Sequence, residues 1–180
     1  ISVGQIFTPV KWKFNVKPLE NNEFEISAAA TIEDGWHVYA LSVSDKPDAI
    51  GPIPTTLNIN KGSDFEVVGK TKEGKFITHF DPNFEMDLNY FEKSAVFKQK
   101  IKATSNKPFN ISGVVEYMAC NDERCIFPDP ELFELTIAAQ GAEAAETGTT
   151  NESTQAPQAG ENHVQWTYAI AKTKIGRAHV

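Results

Sequence analysis

Cysteine is scarce in this chain: Cys120 and Cys125 are the only two in 180 residues. So small a number fixes no compartment, because a cytosolic protein holds two thiols as readily as an exported one holds one bridge. A zinc centre would need two further ligands, and the globular part supplies only His37 and His79 as histidines. Each reads more simply as a strand or turn residue, so no metal is expected. Long apolar runs are missing too. The longest, such as Ser27–Ile32, fall far short of the roughly 20 residues a membrane helix needs, and the chain as it stands reads as soluble. Positive charge is in deficit: with a formal net charge of −7 there is no basic groove, and a nucleic-acid partner is not expected. A leader is not visible either, since Ile1 opens directly in mature-looking sequence. An exported protein of this kind would have had its signal peptide trimmed.

What the chain does have is one core's worth of apolar residues, 41% hydrophobic and 11% aromatic, arranged with a period of two. Val10-Lys-Trp12-Lys-Phe14-Asn-Val16 alternates cleanly, and Phe24, Ile26 and Ala28 continue the pattern after a hairpin-type connection at Leu19–Asn22. Asp34-Gly35 punctuates the approach to Trp36-His-Val-Tyr39. Further strands are predicted at Thr56–Asn60, Phe65–Val68, Phe76–His79, Ala95–Ala103, Phe109–Ala119 and Leu132–Ile137. Prolines 47, 52, 54, 82, 108, 128 and 130 fall between these runs, where they cost no ladder hydrogen bonds. No amphipathic helix is evident. About eight short strands with frequent turns predict an all-β fold, an antiparallel β-sandwich.

This pattern fills residues 1–139. Residues 140–162 contain no aromatic and no large aliphatic side chain, too little to offset the entropy of ordering, and read as a flexible linker. Patterning resumes in residues 163–174. There Val164-Gln-Trp166-Thr-Tyr168-Ala-Ile170 echoes the first strand in every inward position, as the first strand of a truncated second similar domain would. Chance alternation of an amphipathic strand is the other reading. Residues 175–180 read as a translated adapter or sequencing artefact and are excluded from fold reasoning.

The most informative segment is Tyr117-Met-Ala-Cys120-Asn-Asp-Glu-Arg-Cys125-Ile-Phe-Pro128. If Asn121–Arg124 is the tip of a hairpin, the two cysteines face each other at about 4.5–5.5 Å between Cα atoms, a spacing a disulfide accepts. Closing so short a ring stabilises the fold by only roughly 2 kcal/mol in the loop-entropy estimate. A bridge at a hairpin tip is open to an incoming thiolate, which favours exchange chemistry. A structural staple and a pair of free thiols remain the alternatives. Arg124 favours a thiolate at Cys125, whereas Asp122 and Glu123 oppose it.

These residues, from Val115 to Pro128, together with Asp34-Gly-Trp-His-Val-Tyr39 upstream, resemble the N-terminal periplasmic domain of the thiol:disulfide interchange protein DsbD family. The resemblance covers nearly all of residues 7–138. It departs in one respect: the best-known members have one more residue between the cysteines. The resemblance implies an immunoglobulin-like sandwich in the periplasm, belonging to a full-length protein anchored in the inner membrane through parts not present here. It implies a thioredoxin-like donor domain as one partner, with periplasmic disulfide isomerases or cytochrome-maturation thioredoxins as clients. By the same likeness, Cys125 forms the mixed disulfide and Cys120 is its partner. No cofactor is expected, because the cysteine pair itself carries two electrons. Family members cover the disulfide with an aromatic cap loop, and the matching stretch is Asp81–Phe91. Phe84 is the candidate cap and Tyr90 lies in the same stretch. Trp36 and Tyr39 are candidates to line the site, and Asp81 and Glu85 to move protons. Against this stands a rival of another class, a non-catalytic immunoglobulin-like binding or spacer module stapled by a structural hairpin disulfide.

Overall fold

Alternation of apolar and polar residues drives the chain into strands that bury one face. In the computed structural model, which describes residues 8–46, 50–81 and 84–138, twelve strands are assigned. β1 (Val10–Pro18) and β2 (Glu23–Ile32) form a hairpin in which Trp12 pairs with Ala30 and Phe14 with Ala28. Its turn needs two left-handed residues, and Asn21 and Asn22 supply them at φ 59° and 63°. β2 pairs with β8 (Ser94–Ala103), which pairs with β5 (Phe65–Glu73). This completes a four-stranded sheet in the order β1-β2-β8-β5.

The facing layer contains two sheets. In one, β9 (Phe109–Glu116) lies between β12 (Glu131–Ile137) and β4 (Thr56–Ile59). The other runs β11 (Cys125–Ile126), β10 (Ala119–Cys120), β3 (His37–Tyr39), β7 (Met86–Glu92), β6 (Ile77–Asp81). Every pairing is antiparallel, and the fold is the all-β, immunoglobulin-like sandwich expected from the sequence. Ile26, Phe97, Ile101, Ile111 and Val115 fill the space between the layers. Burying each such side chain stabilises the fold by about 1.5–3 kcal/mol before entropy is counted. Among the described residues there is no helix, and none is long and apolar enough to cross a membrane.

Three local devices shape the sandwich. Gly35 takes φ +81°, which L side chains rarely adopt, and Trp36 N donates to Glu33 O at 3.1 Å; this turn carries the chain from β2 in one layer to β3 in the other. Gly113 lies where any Cβ would sit 2.5 Å from both Asn58 O and the Phe133 ring, so β9 can be this close to its neighbours only with glycine. Gln99, buried in β8, donates to the Val68 and Lys100 carbonyls and accepts from Thr71 Oγ1, fastening the irregular stretch of β5.

Several strands differ from the sequence expectation. Residues 81–91 were expected as one loop, but Met86–Glu92 is a full strand, because Met86, Leu88 and Tyr90 alternate with Asp87 and Asn89. Asp81 closes β6 as the ladder partner of Met86, and of the stretch between the two strands the described residues are Phe84 and Glu85, which form a turn. The long strand expected at Phe109–Ala119 is broken at Tyr117 and Met118, where the chain leaves β4 and β12 and joins β3. The linker expected at 140–162, the strand at 163–174 and the artefact at 175–180 all lie outside the described residues.

Candidate functional site

The hairpin that carries the cysteines is built by its first tip residue. Asn121 Oδ1 accepts hydrogen bonds from Glu123 N (3.0 Å) and Arg124 N (2.8 Å), and Asn121 N donates to Arg124 O (2.9 Å). An Asx turn of this kind closes a tight loop without glycine. Because Asn121 and Arg124 are bonded, the next pair out, Cys120 and Cys125, falls at a non-hydrogen-bonded position, where opposed residues approach most closely. Their Cα atoms are 4.0 Å apart and the sulfurs are joined. The disulfide is present, and the hairpin expected from the spacing holds it.

The two sulfurs have unlike surroundings. Cys120 is 2% exposed, whereas Cys125 lies on the edge strand β11 and is exposed. The five-stranded sheet explains this. One face, with Ala119, Val38 and Phe91, packs into the sandwich core. The opposite face raises Cys120, Tyr39, Leu88 and Met86, which form a second, smaller apolar cluster with Met118. A sheet face turned away from the sandwich core is ordinarily solvated, yet Tyr39 and Leu88 here are each 1% exposed. The cover is supplied by Val43, Phe84 and Tyr90, which pack against this cluster. Residues 40–43 are tied down through Asn89: its N and Nδ2 donate to Val43 O and Ser42 O, and its O accepts from Ala40 N.

The structure brings most of the sequence candidates to this place. Phe84 is half-buried, and its N–H donates to Asp81 Oδ1 at 3.2 Å, so the Asp81 carboxylate shapes the tip that carries the ring. Glu85 takes a left-handed φ of 53° and points to solvent, apart from the cluster. Tyr39 lies on the floor, with its phenol raised to about 12, chiefly by burial and then by Asp81 and Tyr90. Tyr90, its direct partner across β3 and β7, is raised by burial, with Glu92 and Asp81 adding to it. Trp36 instead belongs to the sandwich core, because it precedes His37 and alternation turns it to the other face. Its ring still serves the hairpin, for the Arg124 guanidinium lies 5.8 Å from its centroid, a cation–π distance.

One neighbour of the disulfide was not among the sequence candidates for the exchange site. His37 is the direct ladder partner of Cys120, and its Nε2 lies 3.1 Å from Tyr39 Oη. Burial lowers its pKa below 6.5, against the opposing pull of Glu92, Asp81 and Asp122. The signal was available: residues two apart on a strand share a face, so His37 had to accompany Tyr39. His79 is exposed on β6, as the ladder partner of Leu88. Among the described residues no cluster of three or more His, Cys, Asp or Glu could hold a metal ion. A buried sulfur bonded to an exposed one, with an imidazole as the ladder partner of the buried one, is chemically suited to thiol–disulfide exchange.

Known proteins place this geometry in a family. Residues 5–137 match the family described as thiol:disulfide interchange protein DsbD, N-terminal. No curated protein sequence matches the chain. Among solved structures, the N-terminal periplasmic domain of ScsB from Proteus mirabilis is similar with a TM-score of 0.51 at 14% identity, over 76% of this chain and 51% of that one. The chain thus spans about half the length of that neighbour. The Neisseria meningitidis DsbD n-terminal domain in the reduced form gives a TM-score of 0.43 at 14% identity, over 72% of this chain and 86% of that one. A complex between the DsbD N-terminal and PilB N-terminal domains from the same organism gives 0.49 at 13%, over 76% and 94%. At 14% identity the likeness to the ScsB domain is one of fold, and the family rests on the sequence match. With that match spanning the whole sandwich and both cysteines, this chain belongs to the DsbD N-terminal domain family.

Proposed function

We infer that this domain relays electron pairs by thiol–disulfide interchange, accepting them from a thioredoxin-like donor and passing them to oxidised proteins of the periplasm. The observation that carries the reading is the asymmetry of the bridge: Cys125 exposed on an edge strand, Cys120 buried behind it. A donor thiolate attacks Cys125 Sγ in line with the S–S bond, and Cys120 leaves as the thiolate. A second donor thiolate then attacks the donor sulfur of the mixed disulfide and releases Cys125. The pair is now reduced and the donor oxidised; with an oxidised client the same steps run in reverse. Phe84 acts as the cap, shielding the bridge from stray thiols until a partner displaces it, and Asp81 holds that cap in place. The family supports periplasmic disulfide isomerases and cytochrome-maturation thioredoxins as clients, and an inner-membrane anchor for the full-length protein.

A stapled binding module would carry the same bridge but would not exchange it. The two are separated by mixing the oxidised chain with stoichiometric reduced thioredoxin and counting free thiols. A relay gains two thiols per chain within seconds to minutes and keeps its circular dichroism spectrum. No gain over hours, or a gain only on unfolding, identifies a staple.

A further inference from the structure

Two ladders meet at Cys120. Its partner on one side is Cys125 and on the other is His37, whose own next partner, on β7, is Glu92. Directly opposed residues of antiparallel strands raise their side chains on the same face, with Cβ atoms about 4.5–5.5 Å apart. Cys125, Cys120, His37 and Glu92 therefore make one row across the face that bears the site. Cys120 is 2% exposed, so the sulfur released by attack on Cys125 acquires its charge where water is scarce. A thiolate formed there needs a proton or a counter-charge.

The groups around the imidazole are few. Tyr39 lies beside it on β3 and Tyr90 on β7, the latter with ring centroids 4.9 Å apart, and both phenols hold their protons well above neutral pH. Glu92 on β7, Asp81 at the end of β6 and Asp122 at the hairpin tip bring negative charge. Arg124, the cation of the tip, lies over Trp36. Of these groups, only an imidazole gains and loses a proton near neutrality.

We propose that His37 is the proton holder of the Cys120 sulfur, neutral beside the closed disulfide and protonated once Cys120 has left as a thiolate. The proposal rests on the exchange reading and deepens it. The donor thiolate's electron pair forms the new S–S bond to Cys125, and the pair from the old bond goes to Cys120 Sγ. His37 takes one proton from solvent, and the imidazolium pairs with that thiolate. Cys125, released in the second step, takes its own proton from solvent. On reoxidation by a client disulfide, Cys120 attacks Cys125 in the mixed disulfide and His37 returns its proton. Burial keeps His37 neutral in the oxidised state, and the nearby carboxylates favour its protonation when the thiolate appears.

The test compares the full chain with His37→Gln and His37→Phe. Thiolate absorbance of the reduced wild type is expected to show one sulfur ionising at least about one pH unit below the ordinary cysteine value of about 8.5. In both variants that ionisation returns to the ordinary value or above, and reduction by dithiothreitol at neutral pH slows about tenfold or more. Glutamine keeps a polar partner for Tyr39, so rescue by Gln would mark a packing role and overturn the proposal. Unchanged thiolate ionisation and rate in both variants would overturn it equally. Should the variants fail to fold, imidazole NMR of the wild type decides: the His37 pKa rises on reduction, and an unmoved value contradicts the assignment. A disulfide that dithiothreitol cannot reduce with the fold intact would instead remove the exchange reading, and this assignment with it.

Discussion

Cys120 and Cys125 sit directly opposite each other across a four-residue tip, yet one is 2% exposed and the other open to solvent. In the proposed relay that difference sets the order of events. In Cys120→Ser the surviving thiol is the exposed one, and it is expected to form a stable mixed disulfide with an oxidised thioredoxin-like partner. In Cys125→Ser the surviving thiol is buried, and trapping is expected to fall by about tenfold or more, since exchange needs access to the sulfur. Intact-mass spectrometry of the two adducts reads the difference.

Phe84 lies in the turn between β6 and β7 and packs against the second apolar cluster. Phe84→Ala is expected to speed reduction of the bridge by glutathione several-fold while leaving its equilibrium potential little changed. The half-buried ring makes the stability cost about 1–2 kcal/mol, below the 3–5 of a fully buried phenylalanine. Stopped-flow reduction and urea unfolding measure the two effects separately.

His37 also couples the fold to pH. Its folded pKa is lowered by burial, so between that value and the unfolded 6.5 the unfolded chain binds more protons. The stability contribution is complete above about pH 6.5 and is lost as pH falls through the folded value. Thermal unfolding of the oxidised protein is expected to show a steeper loss between neutral and mildly acidic pH in wild type than in His37→Gln. Equal slopes would mean that the carboxylates alone account for the acid sensitivity.

The sandwich and the disulfide hairpin were legible in the sequence because both rest on short-range rules. Val10–Val16 alternates along one strand, and Asn21-Asn22 and Asn121–Arg124 close turns by their own backbone and side-chain chemistry. The second apolar cluster was not legible. Met86 and Leu88 read as loop because the family resemblance places a cap loop over Asp81–Phe91, while their alternation with Asp87 and Asn89 is a strand signature. Trp36 and His37 were separated only by strand parity, which turns one into the core and the other toward Cys120. Strand parity puts His37 on the face of Tyr39, but its place beside Cys120 comes from the pairing of β3 with β10, a contact between segments more than eighty residues apart.

Gly113 tests the packing that brings β9 through to the site. An added Cβ meets a backbone oxygen and an aromatic ring at 2.5 Å, and neither can give way cheaply. Gly113→Ala is expected to destabilise the fold by about 1–3 kcal/mol or more through overpacking. The urea midpoint should fall with the slope unchanged.

The reduction potential of the Cys120–Cys125 pair, titrated in glutathione or dithiothreitol buffers with circular dichroism followed in the same samples, tests the central claim most directly. A relay requires a potential between about −270 and −180 mV, in the range spanned by thioredoxin and protein disulfide isomerase, with an unchanged spectrum on reduction. A potential below about −300 mV, or unfolding as the bridge opens, would contradict the relay and make the disulfide a structural staple.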